Sequence, residues 1–173
     1  LALVGLRKRA MKHGYFYAYA ISHLRGIKPQ ELVLGFKNHL DMHKSKIFFP
    51  DMLQILEQHR QEGNKIFMIS EEPTVILDPV ASFLDIKESH GTKLVEKEGL
   101  LTGGIEGHIL KDEMKRQRVL ELADRYNLDL SKCFAYGNSW NAYEMLRSVG
   151  RAYLVRPPKS LAKRGHQLGF RVV

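Results

Sequence analysis

Lys132-Cys133-Phe134-Ala135-Tyr136-Gly137-Asn138-Ser139-Trp140-Asn141-Ala142-Tyr143-Glu144-Met145-Leu146 reads as an apolar strand, a glycine turn and a helix that opens with polar side chains. In an open α/β sheet such a junction is where ligands sit. The loop at a strand's carboxyl end meets the free N–H groups and the positive dipole end of the next helix. Asn138 is the first polar side chain past the strand and offers a neutral oxygen, whereas a hard cation such as Mg²⁺ takes anionic oxygen. Ala142, one helical turn later on the same face, offers no oxygen at all. The junction has the shape of a ligand site without the anionic oxygens that a metal takes.

Working outward, the chain alternates strand and helix from Pro50 onward. A helix is expected over Asp51–Glu62, with Met52, Ile55, Leu56 and His59 on one side and Gly63 as its stop. Lys65–Ser70 is a continuous apolar strand of the kind buried in parallel sheets, and Thr74–Leu84 is the next helix behind Pro73. Short strands are expected at Thr92–Val95 and Gly104–Ile109, and a helix over Met114–Tyr126 ending at Asn127. Strands Cys133–Tyr136 and Ala152–Val155 and helices Ser139–Arg147 and Lys159–Gln167 complete the series. Parallel strands joined by helices give an α/β fold, with the strands at 65–70, 132–136 and 152–155 expected in one parallel sheet.

Residues 1–48 read differently, as a small helical module. Leu1–His13 suits an amphipathic helix ended by Gly14, and Gly26-Ile27-Lys28-Pro29 breaks the chain before a helix through Leu32, Phe36 and Leu40. His39 and His43 have the spacing for two imidazoles on one metal, but no third ligand is evident, which favours an exposed helix face. Tyr15, Tyr17 and Tyr19 alternate with apolar residues and are expected to pack against the core. The domain division is therefore 1–48 as a helical cap and 49–173 as an α/β core.

Two further residues stand where chemistry is possible. Ser70 closes a strand just before a helix, so its hydroxyl and the following N–H groups suit a phosphate. Lys115, early in its helix, is placed to supply a cation for charge on a phosphoryl group.

The quoted stretch, Ala-Tyr-Gly-Asn-Ser-x-x-Ala followed by Met-Leu, resembles the fourth motif of haloacid dehalogenase-like (HAD) phosphatases of subfamily IB, the phosphoserine phosphatase-like group. The resemblance runs from about Leu53 to Val173 in unbroken order. His59-Arg60-x-x-Gly63 leading to Ser70-x-x-Pro73 is similar to the second motif, and Lys115 falls at the third-motif lysine. Gly91-Thr92-x-Leu94, Gly99-x-Leu101-Thr102-Gly103 and Ile105-x-Gly107 are similar to the subfamily's hairpin segment. The resemblance implies a Rossmann-like parallel sheet with a small helical cap and a Mg²⁺-dependent phosphomonoesterase site. Ser70 and Lys115 would serve as its catalytic and phosphate-binding residues, and Asn138 would stand at a degenerate metal position.

Three departures qualify that implication. Nothing here matches the family's first motif, Asp-x-Asp-x-Thr, which supplies the nucleophile and is expected upstream of Leu1. Asn138 and Ala142 stand where the family has Asp. Glu71 and Glu72 follow Ser70 where the family has small or neutral residues, and two carboxylates there repel a dianion. The first reading is therefore a catalytically degenerate phosphatase fold kept as a binding or assembly module. The alternative is an active Mg²⁺-dependent phosphatase of a small phosphorylated metabolite. A third reading, a basic subunit of a ribonucleoprotein or other large assembly, draws on the +8 charge and, locally, on the aromatics interleaved with basic residues from Arg7 to Arg25.

Bulk properties bound these readings. The 173 residues are 44% hydrophobic and carry a net charge of +8, which permits an RNA, protein or anionic small-molecule partner without selecting one. The basic groups Arg7, Lys8, Arg9 and Lys12 and Arg156, Lys159, Lys163 and Arg164 read as solvated helix faces. The single cysteine, Cys133, excludes an intrachain disulfide and reads as a buried thiol in a reducing, cytoplasmic setting. No apolar run reaches the length of a membrane span.

Overall fold

Prolines open the helices that begin at Pro29 and Pro50, where a missing N–H costs nothing. In a computed structural model that describes residues 19–173, helix α1 (Pro29–Ile47) carries Glu31 in its first turn and Lys44 and Lys46 in its last. Helix α2 (Pro50–Gln61) follows the same logic with Asp51 at the start. Gly63 (φ 72°) turns the chain out of α2, and the Asn64 N–H returns to His59 O at 3.0 Å. Expectations for Leu1–His13, for the Arg7–Lys12 group, and for Tyr15 and Tyr17 fall outside the described residues.

Strand β1 (Phe67–Pro73), helix α3 (Thr74–Phe83) and strand β2 (Glu88–Thr92) make a parallel pair with its crossover helix. Strands β3 (Leu94–Lys97) and β4 (Leu100–Ile105) form an antiparallel hairpin. Glu98 and Gly99 both have positive φ at its tip, as a tight two-residue turn requires. Helix α4 (Glu113–Tyr126) ends on Asn127 in the left-handed region. Then β5 (Phe134–Gly137), β6 (Arg151–Leu154) and β7 (Arg171–Val172) form a parallel sheet in that order. A 3₁₀ turn (Trp140–Ala142) and α5 (Tyr143–Arg147) connect its first two strands, and α6 (Lys159–Gln167) its last two.

One buried cluster joins these layers. Met68 and Ile69 of β1, Leu77 of α3, Val119 of α4, Met145 of α5 and Leu154 of β6 are each at most 2% exposed, and Leu40 of α1 belongs to the same cluster. Full burial of each such side chain contributes on the order of 1.5–3 kcal/mol. The chain has an α/β fold with parallel sheets and crossover helices, in agreement with its periodicity.

Several boundaries differ from expectation, for physical reasons. Among the described residues β1 pairs with β2 and not with β5, so the strands at 67–73 and 134–137 lie in separate sheets. Ladder bonding needs strands about 4.8 Å apart, and β5 makes its ladder with β6 instead. Thr92 ends β2 rather than opening a strand. Glu88–Thr92 is too polar to show apolar alternation because all of it but Thr92 is half-buried in a two-stranded sheet. Strand β4 runs 100–105, and residues 106–112 are irregular. Cys133 precedes β5 and is half-buried, its Sγ 3.3 Å from Asp129 O. Tyr19 is 63% exposed and does not pack into the core. His39 and His43 stack on α1 with ring centroids 4.5 Å apart, and among the described residues no group of three or more His, Cys, Asp or Glu is arranged to hold a metal.

His59 is 6% exposed and ties α2 to β5. Its Nε2 lies 2.8 Å from Tyr136 Oη and its Nδ1 3.1 Å from Asn64 Nδ2. Asn64 donates to Nδ1, so the ring proton sits on Nε2 and is donated to Tyr136. Burial lowers the His59 pKa from its ordinary 6.5, and burial chiefly pushes Tyr136 up to about 12. The unfolded chain therefore takes up a proton near pH 6.5 that folded His59 refuses, so stability falls as pH drops below that value. His90, lowered mainly by burial, adds to the same slope. Thermal midpoints of the wild type should fall between pH 7 and 5, and His59→Gln should make that fall shallower. Identical slopes would contradict this account of His59.

Candidate functional site

At the carboxyl ends of β1 and β5 three segments are laced together. The β1–β2 ladder runs in register from Phe67↔Glu88 to Ile69↔His90 and then shifts before Pro73↔Thr92. Ser70 thus lies inside β1 at the point of irregularity, not at the strand's end as expected. It is half-buried, and its Oγ accepts the Glu72 N–H at 3.2 Å. Beside this bulge β2 passes very close. A Cβ on Gly91 would lie 2.6 Å from Glu72 O and 3.0 Å from Thr74 N, so only glycine fits there.

Thr92 is fully buried and links two backbones. Its Oγ1 donates to Glu71 O at 2.6 Å and accepts from the Leu110 N–H at 3.1 Å. Asn141 makes the second link, for its Nδ2 donates to Glu71 Oε2 at 2.6 Å while its carbonyl accepts the Asp112 N–H at 3.1 Å. One residue of the β5 turn therefore holds both the end of β1 and the chain entering α4.

Asp112 is held at φ 48°, ψ −123°, a sparsely populated conformation that costs on the order of 1–3 kcal/mol for a residue with a side chain. Its carbonyl accepts the Lys115 N–H at 3.1 Å, which fixes Lys115 one turn into α4, 7% exposed. On the β5 side the turn is tight: a Cβ on Gly137 would lie 2.7 Å from the Cβ of Ala142, which is 4% exposed. Asn138, which follows Gly137 in the turn, is half-buried.

The segments carrying Ser70, Lys115 and Asn138 are thus joined, through residues that sequence reasoning does not single out for this role: Asn141, Thr92 and Asp112. Asn141 stands inside the quoted stretch, but a lone asparagine in a turn carries no signal of its partner 70 positions away. Glu71 is also recast. One of its oxygens receives an amide N–H, and hydrogen bonding of this kind tempers the repulsion expected of a bare carboxylate. A magnesium ion fits this edge poorly, because Asn138 is neutral, Ala142 has no donor and one oxygen of Glu71 is bonded to Asn141.

Cutting the Asn141 link should be costly. Asn141→Ala removes a hydrogen bond to a half-buried carboxylate, which is worth about 1–2 kcal/mol, and should shift the urea midpoint down accordingly. Asn141→Asp should cost more, since it sets two carboxylates face to face. A midpoint unchanged in both variants would show that the link contributes nothing to stability.

The profile of the haloacid dehalogenase-like hydrolases matches residues 5–147. "Phosphoserine phosphatase SerB1" of Mycobacterium tuberculosis is 28% identical over 154 residues, covering 88% of this chain and 50% of that protein. "Probable phosphatase Rv3661" of the same organism is 27% identical over 127 residues, 73% of this chain and 44% of that one. The chain spans about half the length of the curated relatives it matches. Among solved structures, a Bordetella pertussis protein of unknown function superposes with a TM-score of 0.82 at 19% identity, over 94% of this chain and 74% of that one. A probable phosphoserine phosphatase from Vibrio cholerae gives 0.73 at 17% identity, over 94% and 47%.

Proposed function

The chain belongs to the haloacid dehalogenase-like hydrolase family, and on that premise we propose that its α/β core recognises the phosphate of a small phosphorylated metabolite without hydrolysing it at an appreciable rate. The observation that carries this reading is the Asn141 bridge between Glu71 and Asp112, which draws the end of β1, the β5 turn and the start of α4 to one edge. On this reading the Ser70 hydroxyl and the Lys115 ammonium converge there on a bound phosphate, and Asn138 contributes a neutral amide.

Slow turnover follows from the same residues. The position one turn past Asn138 holds Ala142, and Glu71, a carboxylate at this edge, has one oxygen committed to Asn141. A phosphoryl transfer site needs positive charge against the migrating group, and here the half-buried Glu71 and Glu72 add negative charge. The second reading, an active Mg²⁺-dependent phosphomonoesterase, is favoured by the names of the relatives, several of them phosphatases.

Calorimetric titration with inorganic phosphate, run beside p-nitrophenyl phosphate turnover in excess Mg²⁺, separates the two. Measurable phosphate binding with turnover at the buffer rate is expected. Turnover by the unmodified chain that vanishes in Lys115→Met would replace this reading with the second one.

A further inference from the structure

We infer that the cleft beside the start of α4 takes the organic group of the bound phosphate ester, and that it selects an uncharged, largely apolar group over one bearing a carboxylate. This rests on the phosphate reading above and names the class of ligand. The cleft is a shallow depression of about 500 Å³, open to solvent, and Ile105, Ile109 and Met114 form its apolar wall. That volume lies within the range of small-molecule sites, which are mostly apolar with a few polar groups.

Asp112 connects cleft and edge. It lines the cleft, its N–H is bonded to the Asn141 carbonyl, and its own carbonyl holds the Lys115 N–H. Lys115 stands only three residues further, roughly 4.5 Å along the helix axis. A ligand whose phosphate meets Lys115 therefore extends its organic part naturally toward Ile109 and Met114.

Charge narrows the choice. Asp112 and Glu113 both line the cleft, with Lys111 the one ordinarily charged cation among its lining residues. The Glu113 carboxylate is 2.7 Å from Arg116 Nη1, an ion pair on its own helix face. A second carboxylate brought in on the ligand, as in phosphoserine, meets the Asp112 and Glu113 carboxylates, whereas a hydrocarbon or aromatic group meets isoleucine and methionine. The irregular segment 106–112 that forms this wall is also the place where β4 gives way to α4. Gly107 (φ 71°) makes the turn that brings His108 and Ile109 round to it.

The test is titration of the whole chain with 1-naphthyl phosphate, O-phosphoserine, inorganic phosphate and 1-naphthol. The expected result is binding of 1-naphthyl phosphate about tenfold or more tighter than phosphoserine, a ratio typical of filling an apolar pocket. Ile109→Ser and, separately, Met114→Ser should erase most of that advantage while leaving the inorganic phosphate affinity in place, and Glu113→Gln should strengthen phosphoserine. Equal or tighter binding of phosphoserine, or indifference to both serine variants, would overturn the inference. If inorganic phosphate fails to bind, the phosphate reading falls. In that case 1-naphthol still judges the cleft, since it should bind the wild type and be weakened by Ile109→Ser, and absence of naphthol binding removes the cleft proposal as well.

Discussion

Gly150→Ala is expected to lower the thermal midpoint by roughly 6–12 °C, the shift that about 3 kcal/mol produces in a chain of this length. A Cβ at this position falls on the Ser131 carbonyl, 2.5 Å from its carbon and 2.9 Å from its Cα. The partner is backbone and has no rotamer to change. Ser131 is fixed in turn: Asp129 caps its N–H at 3.0 Å, and the Gly150 N–H is bonded to Leu130 O at 2.8 Å. Any retreat by Ser131 therefore disturbs both the 3₁₀ turn at Leu130–Lys132 and the entry to β5. Gly35 is the internal control. It lies in α1, where an added Cβ would have nothing within 4 Å, so Gly35→Ala should raise stability by about 0.5–1 kcal/mol. Differential scanning calorimetry of the two variants reads both, and equal midpoints would contradict the packing described around Ser131.

Those two glycines illustrate what a sequence displays. Helix starts at Pro29 and Pro50, the stop at Asn127 and the apolar strands of β1 and β5 are all legible, because each rests on local chemistry. The β2 strand is not, since Glu-Ser-His-Gly-Thr has no apolar rhythm and owes its extended form to pairing with β1. The separation of β1 from β5 is equally hidden, for pairing between segments so distant in the chain is a tertiary fact. At the candidate site, Ser70 and Lys115 stand out by position and resemblance. The residues that join their segments do not, because Asn141 and Thr92 act through partners distant in sequence. Glu71 reads in the sequence as a source of repulsion, and its bond to Asn141 supplies the part of its environment that no local pattern reveals.

Lys115→Met is the substitution with the largest expected effect on binding. The side chain is 7% exposed, and its stem sits in the first turns of α4, so methionine keeps most of the packing and removes the charge. A charge-assisted bond to phosphate contributes about 1.5–3 kcal/mol, which corresponds to a loss of roughly 10- to 150-fold in affinity. Ser70→Ala, which removes a neutral hydroxyl, should cost about fivefold. Calorimetric titration with inorganic phosphate checks both, along with the order between them. An unchanged phosphate affinity in Lys115→Met would remove the lysine from the site.

Whether phosphate is held at the edge where β1, the β5 turn and the start of α4 meet is tested most directly by soaking crystals of the chain with tungstate, a tetrahedral oxyanion that scatters anomalously. The predicted result is one strong anomalous peak within hydrogen-bond reach of Ser70 Oγ and Lys115 Nζ. A peak instead in the cleft of about 340 Å³ lined by Arg60, Lys65 and Lys87, with none near Ser70 and Lys115, would contradict it.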